Sequence, residues 1–304
     1  MRLATCRSLF LDIYLVMNLG MGIAGAAIAT VAAQLVQTFL LAIVVQRKRA
    51  KANAGSSWLL LRPGLPSRSR ILRFLAFAGP IFLVLLGKIS CYNAMTLAAT
   101  TGGVVSLAAH QAMISVFFLG CKFGDAVSQT AQAYLPACWD PTEGTGSRPP
   151  PPATARRLSG RLLRLSTILA VIVSFCAYAF ITRLPTIFTR DLGVLGAMGT
   201  CAPLLFFALL LHATCMCAEG LLIGARELSF LGKSYVANVC IFLSSLYVIA
   251  NRRMGLVAVW RALAAFQVVR LATFSKRLQT VGLTFAGSSE DAPPTLDSGA
   301  SVKS

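Results

Sequence analysis

From Gly22 to Gln46 the chain carries no charged residue. An apolar run of that length is what an α-helix needs to cross the hydrocarbon core of a bilayer, where roughly 20 residues suffice. The pattern recurs. Further spans are predicted over about 71–99, 104–135, 161–183, 193–223, 230–250 and 254–274, with a partial one over about 8–19. Each span must close its own backbone hydrogen bonds in lipid, so helices are expected and open strands are not. The breaks between spans have fitting chemistry: Gly102-Gly103, the proline run at 149–152, Arg183 to Asp191, and Asn251-Arg252-Arg253. Within 71–99, Gly79-Pro80 predicts a bend or a weak point. The fold class expected is an all-α, polytopic membrane bundle of about seven full spans and one partial.

Composition agrees. Of the 304 residues, 56% are hydrophobic and 12% charged, and the mean hydropathy is +0.72. A soluble domain carries about 25% charged residues, so this chain has too little polar surface to face water. The net charge of +18 would suggest nucleic acid on a soluble protein. Here the bases lie mostly between apolar runs, and no base-stacking motif or basic amphipathic helix accompanies them. Membrane lipid is the expected partner and nucleic acid is not.

Those bases also orient the chain. Eight Lys or Arg lie between Arg47 and Arg73, five Arg between Pro136 and Arg164, and Lys276 and Arg277 follow the last span. The alternate loops 98–103, 184–192 and 251–253 hold three in total. The basic set is therefore expected on the cytoplasmic side, or on whichever side insertion starts from.

Small residues crowd 22–33 and predict close helix packing there. The segments 140–157 and 286–304, rich in Pro, Gly and Ser, are expected to be disordered. Nine cysteines lie mostly inside apolar runs without a CxxC, which points to free thiols and to no zinc site or disulfide framework. Two histidines, no HExxH, no GxSxG and no phosphate-binding Walker loop leave no catalytic set, so an enzyme is not expected and no cofactor is called for.

Ionisable groups at bilayer depth are costly and are default candidates for function. Lys88 either pairs with an acid on a neighbouring helix or supplies a charge to a central cavity. Lys122 and Asp125, three apart, can neutralise one another, or Asp125 can face a wet cavity with Gln129 and Gln132 nearby. His212 and Glu219, seven apart, share roughly one helix face, and a histidine suits proton coupling as well as packing. His110, beside Gln111 near a helix start, reads as structural.

Four stretches carry a family resemblance. LDIYLVMNLGMGIAGAAIATVAAQ (11–34) resembles the link between the fifth and sixth helices of the multidrug and toxic compound extrusion (MATE) family. FAGPIFLVLLGKISCYNAMTLAATTGGVVSLAAHQAMISVFF (77–118), with its AAHQ, resembles the seventh and eighth. GDAVSQTAQAYLP (124–136) and EGLLIGARELSF (219–230) resemble later segments, in the family's order. The flavour is nearest the bacterial DNA-damage-inducible branch and its plant relatives, some of them plastid-located.

The resemblance implies a fold of two six-helix bundles rocking about a central cavity, with export driven by proton or sodium entry. On that reading 1–46 is the end of the first bundle, 47–70 a basic linker, 71–275 the second bundle with a flexible loop at 137–160, and 276–304 a disordered tail. The first four helices, with a first-bundle acid implicated in coupling, would be absent, and the chain would need the missing bundle or a second copy. Lys88 stands where several branches have a seventh-helix acid, and His212 where they have a tenth-helix acid. This departure favours protons over sodium as the coupling ion, or organic-anion export.

The resemblance implies an antiporter for small organic or xenobiotic compounds. Its pathway candidates are Lys88, Gln111, Asp125, His212 and Glu219, its coupling ion is a proton, and its membrane is the plasma membrane or a plastid envelope. A truncated or regulatory half-carrier and a lipid-linked oligosaccharide flippase are the alternatives.

Overall fold

The computed structural model describes residues 14–18, 20–52, 67–139 and 150–283. A short π-helical turn, Tyr14–Asn18, precedes seven α-helices: α1 (Gly22–Ala52), α2 (Arg68–Thr100), α3 (Gly103–Cys138), α4 (Ala153–Arg183), α5 (Leu192–Gly224), α6 (Leu228–Asn251) and α7 (Leu256–Val281). All seven are long and apolar enough to cross a membrane. The helices fall into two units, Met1–Arg68 and Ser69–Ser304. In the first, α1 packs on the π turn, and a Cβ added to Gly25 would lie 3.0 Å from the Leu15 carbonyl oxygen.

The helices outrun the predicted spans. α4 starts at Ala153, so residues expected in a flexible loop at 137–160 are helical at both margins, and Arg156, Arg157 and Arg161 sit in its first turns. α7 runs to Val281 instead of stopping near 274, which takes the start of the expected disordered tail into the helix. It ends where Gly282 adopts a left-handed φ of 80° and the N–H groups of Gly282 and Leu283 donate to Gln279 and Leu278. The expected linker at 47–70 loses its two ends to α1 and α2. Residues 53–66 and 286–304 lie outside the described residues. α2 is a single helix that runs through Pro80.

In the second unit α5 is the axis, packed against α3, α4 and α7. Its residues Cys215–Leu222 are buried on every side, as expected of a helix apolar all round. Asp191 caps its start, Oδ1 accepting from the N–H groups of Gly193 (2.7 Å) and Val194 (3.1 Å).

A glycine seam joins α3 to α5. Gly120 and Gly124 on α3 lie against Leu209 and Ala213 of α5, and Gly220 and Gly224 on α5 lie against Ser128 and Leu135 of α3, each glycine pair spaced by four, as in the small-residue motifs of membrane helix pairs. A Cβ on Gly124 would lie 2.9 Å from the Ala213 Cα, and one on Gly220 would lie 2.5 Å from the Ser128 carbonyl oxygen. On α2, a Cβ added to Gly87 would meet the Val239 side chain of α6 at 2.9 Å.

Candidate functional site

The close packing of α3 on α5 leaves one end of α5 to face α2, α6 and α7, and there Glu219 gathers a polar cluster. Its side chain is 4% exposed. Oε1 accepts from the Lys88 ammonium of α2 at 2.7 Å. Oε2 accepts from the Arg270 guanidinium of α7 at 2.8 Å and from the Tyr235 hydroxyl of α6 at 2.5 Å. Arg270 also donates to the Tyr235 hydroxyl. Three helices thus converge on one carboxylate. Burying an ion is tolerated only where such partners satisfy its lone pairs.

Arg270 is enclosed by rings and bonded through Nη1 and Nη2, while its buried Nε has no hydrogen-bond partner. Its guanidinium lies 5.1, 5.3 and 5.6 Å from the rings of Tyr235, Phe266 and Phe274. Nη1 donates to Gln267 Oε1 at 3.0 Å. That fixes the amide, so Gln267 Nε2 donates to His212 Nδ1 at 2.8 Å. His212 Nδ1 is an acceptor, so the neutral ring carries its proton on Nε2, which has no hydrogen-bond partner, and the ring packs edge-on with Phe117 at a centroid distance of 5.4 Å. A continuous hydrogen-bonded chain therefore links Lys88, Glu219, Arg270, Gln267 and His212.

A cavity of about 220 Å³ adjoins the cluster, lined by Lys88, Asp125, Ser128, Gln129, Gln132 and Glu219 among apolar residues from Pro80 to Leu231. Its walls come from the first two-thirds of α2, the end of α3, the end of α5 and the start of α6. Lys122 reaches Asp125 at 3.8 Å, with side chains 76% and 34% exposed. Such a long, wet contact is a weak pair.

No protein-family model matches the chain. It is 27% identical over 271 residues to Protein DETOXIFICATION 47, chloroplastic, of Arabidopsis thaliana, covering 89% of this chain and 47% of that protein. Protein DETOXIFICATION 44, chloroplastic, of the same plant is 26% identical over 273 residues, covering 89% and 48%. An outward-facing multidrug resistance MATE family transporter of the MOP superfamily superposes with a TM-score of 0.71 at 17% identity, over 93% of this chain and 62% of that one. The chain is thus similar in sequence to plant DETOXIFICATION proteins and shares its fold with MATE-family transporters. It spans about half the length of the curated relatives it matches. A MOP superfamily transporter from Pyrococcus furiosus, whose structure was described as having a binding pocket of reverse polarity, shares the fold at a TM-score of 0.67 and 19% identity, over 92% and 61%.

Within this MATE fold, the sequence candidates Lys88, Asp125 and Glu219 line one cavity. His212 is buried away from it and reaches it only through Gln267 and Arg270. Gln111 is exposed on α3 and does not line the cavity. Of the alternatives open for Lys88, the ion pair with an acid on a neighbouring helix is present, and the charge also faces a cavity. Tyr235, Gln267 and Arg270 were not among the sequence candidates. The signal available was Arg270 itself, a charge inside the predicted span 254–274.

Proposed function

We propose that the chain is part of a MATE-type secondary carrier that exports small organic or xenobiotic compounds in exchange for an entering cation. The observation that carries the reading is the cavity beside Glu219, a charged and amide-lined concavity within a polytopic membrane bundle of carrier fold. It lies towards the helix ends that adjoin the basic loops, the side on which export begins. Function as a carrier and not an enzyme accords with the transporter relatives.

A proton is favoured over sodium as the coupling ion. Sodium needs oxygen ligands, and both oxygens of Glu219 already accept from N–H and O–H donors. The described second unit is a single bundle, so a working carrier would pair it with another bundle or a second copy to enclose a central site. The chloroplastic relatives favour a plastid membrane.

The test is efflux from proteoliposomes loaded with a panel of organic solutes, under an imposed pH gradient and, separately, an imposed sodium gradient. Efflux driven by the pH gradient alone is expected. Sodium-dependent efflux would sink the coupling assignment, and no efflux under either gradient would sink the carrier.

A further inference from the structure

The end of α7 carries cations that the cluster around Glu219 does not use. There a groove of about 490 Å³ runs between α7 and the start of α6, lined by Phe230 of α6 and by Val268, Val269, Ala272, Lys276 and Arg277 of α7. It shares no lining residue with the cavity beside Glu219.

The groove changes character along its length. Val268 and Val269 are 52% and 44% exposed, and Ala272 is exposed as well. Lys276 and Arg277 follow about one helical turn further on. At a rise of about 1.5 Å per residue, the wall from Val268 to Thr280 is about 18 Å long. One leaflet of the hydrocarbon core is about 15 Å deep, half of the roughly 30 Å of the whole. The groove thus matches one leaflet, apolar where acyl chains lie and basic where headgroups lie.

The basic end has donors to spare. Arg277 donates through Nε and Nη2 to Glu227 Oε2, at 3.0 and 2.7 Å, and its guanidinium lies 5.1 Å from the Phe230 ring. Among the described residues Arg277 Nη1 makes no hydrogen bond and Lys276 has no ion-pair partner. The start of α4 lies close by, since a Cβ added to Gly282 would meet Pro151 at 3.2 Å. Arg156 and Arg157 are exposed in its first turn. These helix ends adjoin the basic loops.

We propose that this groove holds an anionic phospholipid, with the phosphate on Lys276 and Arg277 Nη1 and an acyl chain over Ala272, Val269 and Val268. Arg277 is aimed by Glu227 and Phe230, and Lys276 supplies the charge that sets an anionic lipid apart from a zwitterionic one. Basic pockets between membrane helices on the side of the positive loops suit anionic headgroups. The apolar run below the cations selects a lipid over a free phosphate. The site stands independently of the carrier reading.

The test titrates the full-length protein in detergent micelles with phosphatidylglycerol, with phosphatidylcholine of the same chains, and with inorganic phosphate. Native mass spectrometry counts the bound lipid. Phosphatidylglycerol is expected to be retained at least about fivefold more tightly than phosphatidylcholine, the worth of one cation beside an anionic headgroup. Lys276→Gln should remove most of that preference and Lys276→Arg should keep it. Ala272→Trp fills the apolar half without touching a charge, and it should weaken both lipids. Should Ala272→Trp not fold, Lys276→Gln against Lys276→Arg decides alone. Equal retention of the two lipids overturns the proposal. So does a preference that survives Lys276→Gln, or lipid binding untouched by Ala272→Trp, which would place the lipid elsewhere. Displacement of phosphatidylglycerol by millimolar inorganic phosphate would overturn it as well, leaving a phosphate site with no use for the groove.

Discussion

Lys88 and Glu219, 131 positions apart in sequence, meet at 2.7 Å between α2 and α5. The pair is asymmetric. Glu219 has two further partners in Arg270 and Tyr235, whereas the other contacts of the Lys88 ammonium are the Met216 sulfur at 3.5 Å and the face of the Tyr235 ring at 5.9 Å. Removing the carboxylate strands two cations, while removing the ammonium strands nothing. Glu219→Gln should therefore destabilise by about 3–5 kcal/mol, as for a buried pair with one member lost. Lys88→Met should cost about 1–3 kcal/mol. Melting of the detergent-purified variants measures the order, and the double variant should cost less than the sum of the two. Equal losses would contradict the asymmetry.

The glycine seam makes a sharper prediction because it has an internal control. Gly220→Ala places a methyl 2.5 Å from the Ser128 carbonyl, a backbone atom that cannot step aside. The expected cost is about 1–3 kcal/mol from overpacking. Gly196 and Gly199 lie on the same helix with nothing within 4 Å of an added Cβ. Alanine at either should be neutral or gain up to about 1 kcal/mol of helix stability. The melting temperatures of the three variants decide it.

His212 offers a spectroscopic test. Because Gln267 Nε2 can only donate, His212 Nδ1 must be unprotonated. The chain has two histidines, so His110→Asn leaves a single ring to label. Its 15N spectrum should show a bare, hydrogen-bonded Nδ1 and a protonated Nε2. Gln267→Leu should remove the hydrogen-bond shift at Nδ1. A protonated Nδ1 in the parent would overturn the chain of bonds that joins His212 to Arg270.

Asp191 gives a prediction away from the cavity. Its carboxylate accepts from two free N–H groups at the start of α5. Asp191→Ala should cost about 1 kcal/mol, and Asp191→Asn or Asp191→Ser should restore most of it. Thermal denaturation of the three variants checks the order.

The spans were legible because hydropathy is what a bilayer selects, and the seven full spans correspond to seven helices. Their ends were not. Arg156, Arg157 and Arg161 mark where the membrane stops, but a helix needs no lipid to continue, so α4 reaches back to Ala153. In the same way α7 continues past the predicted end near 274 to Val281, which leaves Arg270 well inside the helix. Lys88, Asp125 and Glu219 were legible as charges inside apolar runs. Which of them touch depends on packing between helices distant in sequence, and the periodicity of a single helix carries no information on that. The glycine spacing 120/124 and 220/224 stands in the sequence, but spacing on one helix does not say which neighbour it packs against.

The carboxylate shared by α2, α6 and α7 also bears on how the chain is made. Synthesis proceeds from the N-terminus, so Lys88 reaches the membrane before Glu219 has been translated, and Tyr235 and Arg270 follow later still. Until α5 arrives, α2 holds an ammonium without its acid, at a cost of about 2.5–3.5 kcal/mol if it sits at the helix centre. The apolar remainder of Ala78–Thr100, with a mean hydropathy of 1.6, has to keep that helix inserted in the meantime. Each later helix then meets a partner already in place: Glu219 finds Lys88, Tyr235 finds Glu219, and Arg270 closes the set. The last charged residue to enter is thus the one most completely enclosed, and a nascent chain stopped short of α7 would hold a cluster neutral in charge but one helix short of sealed.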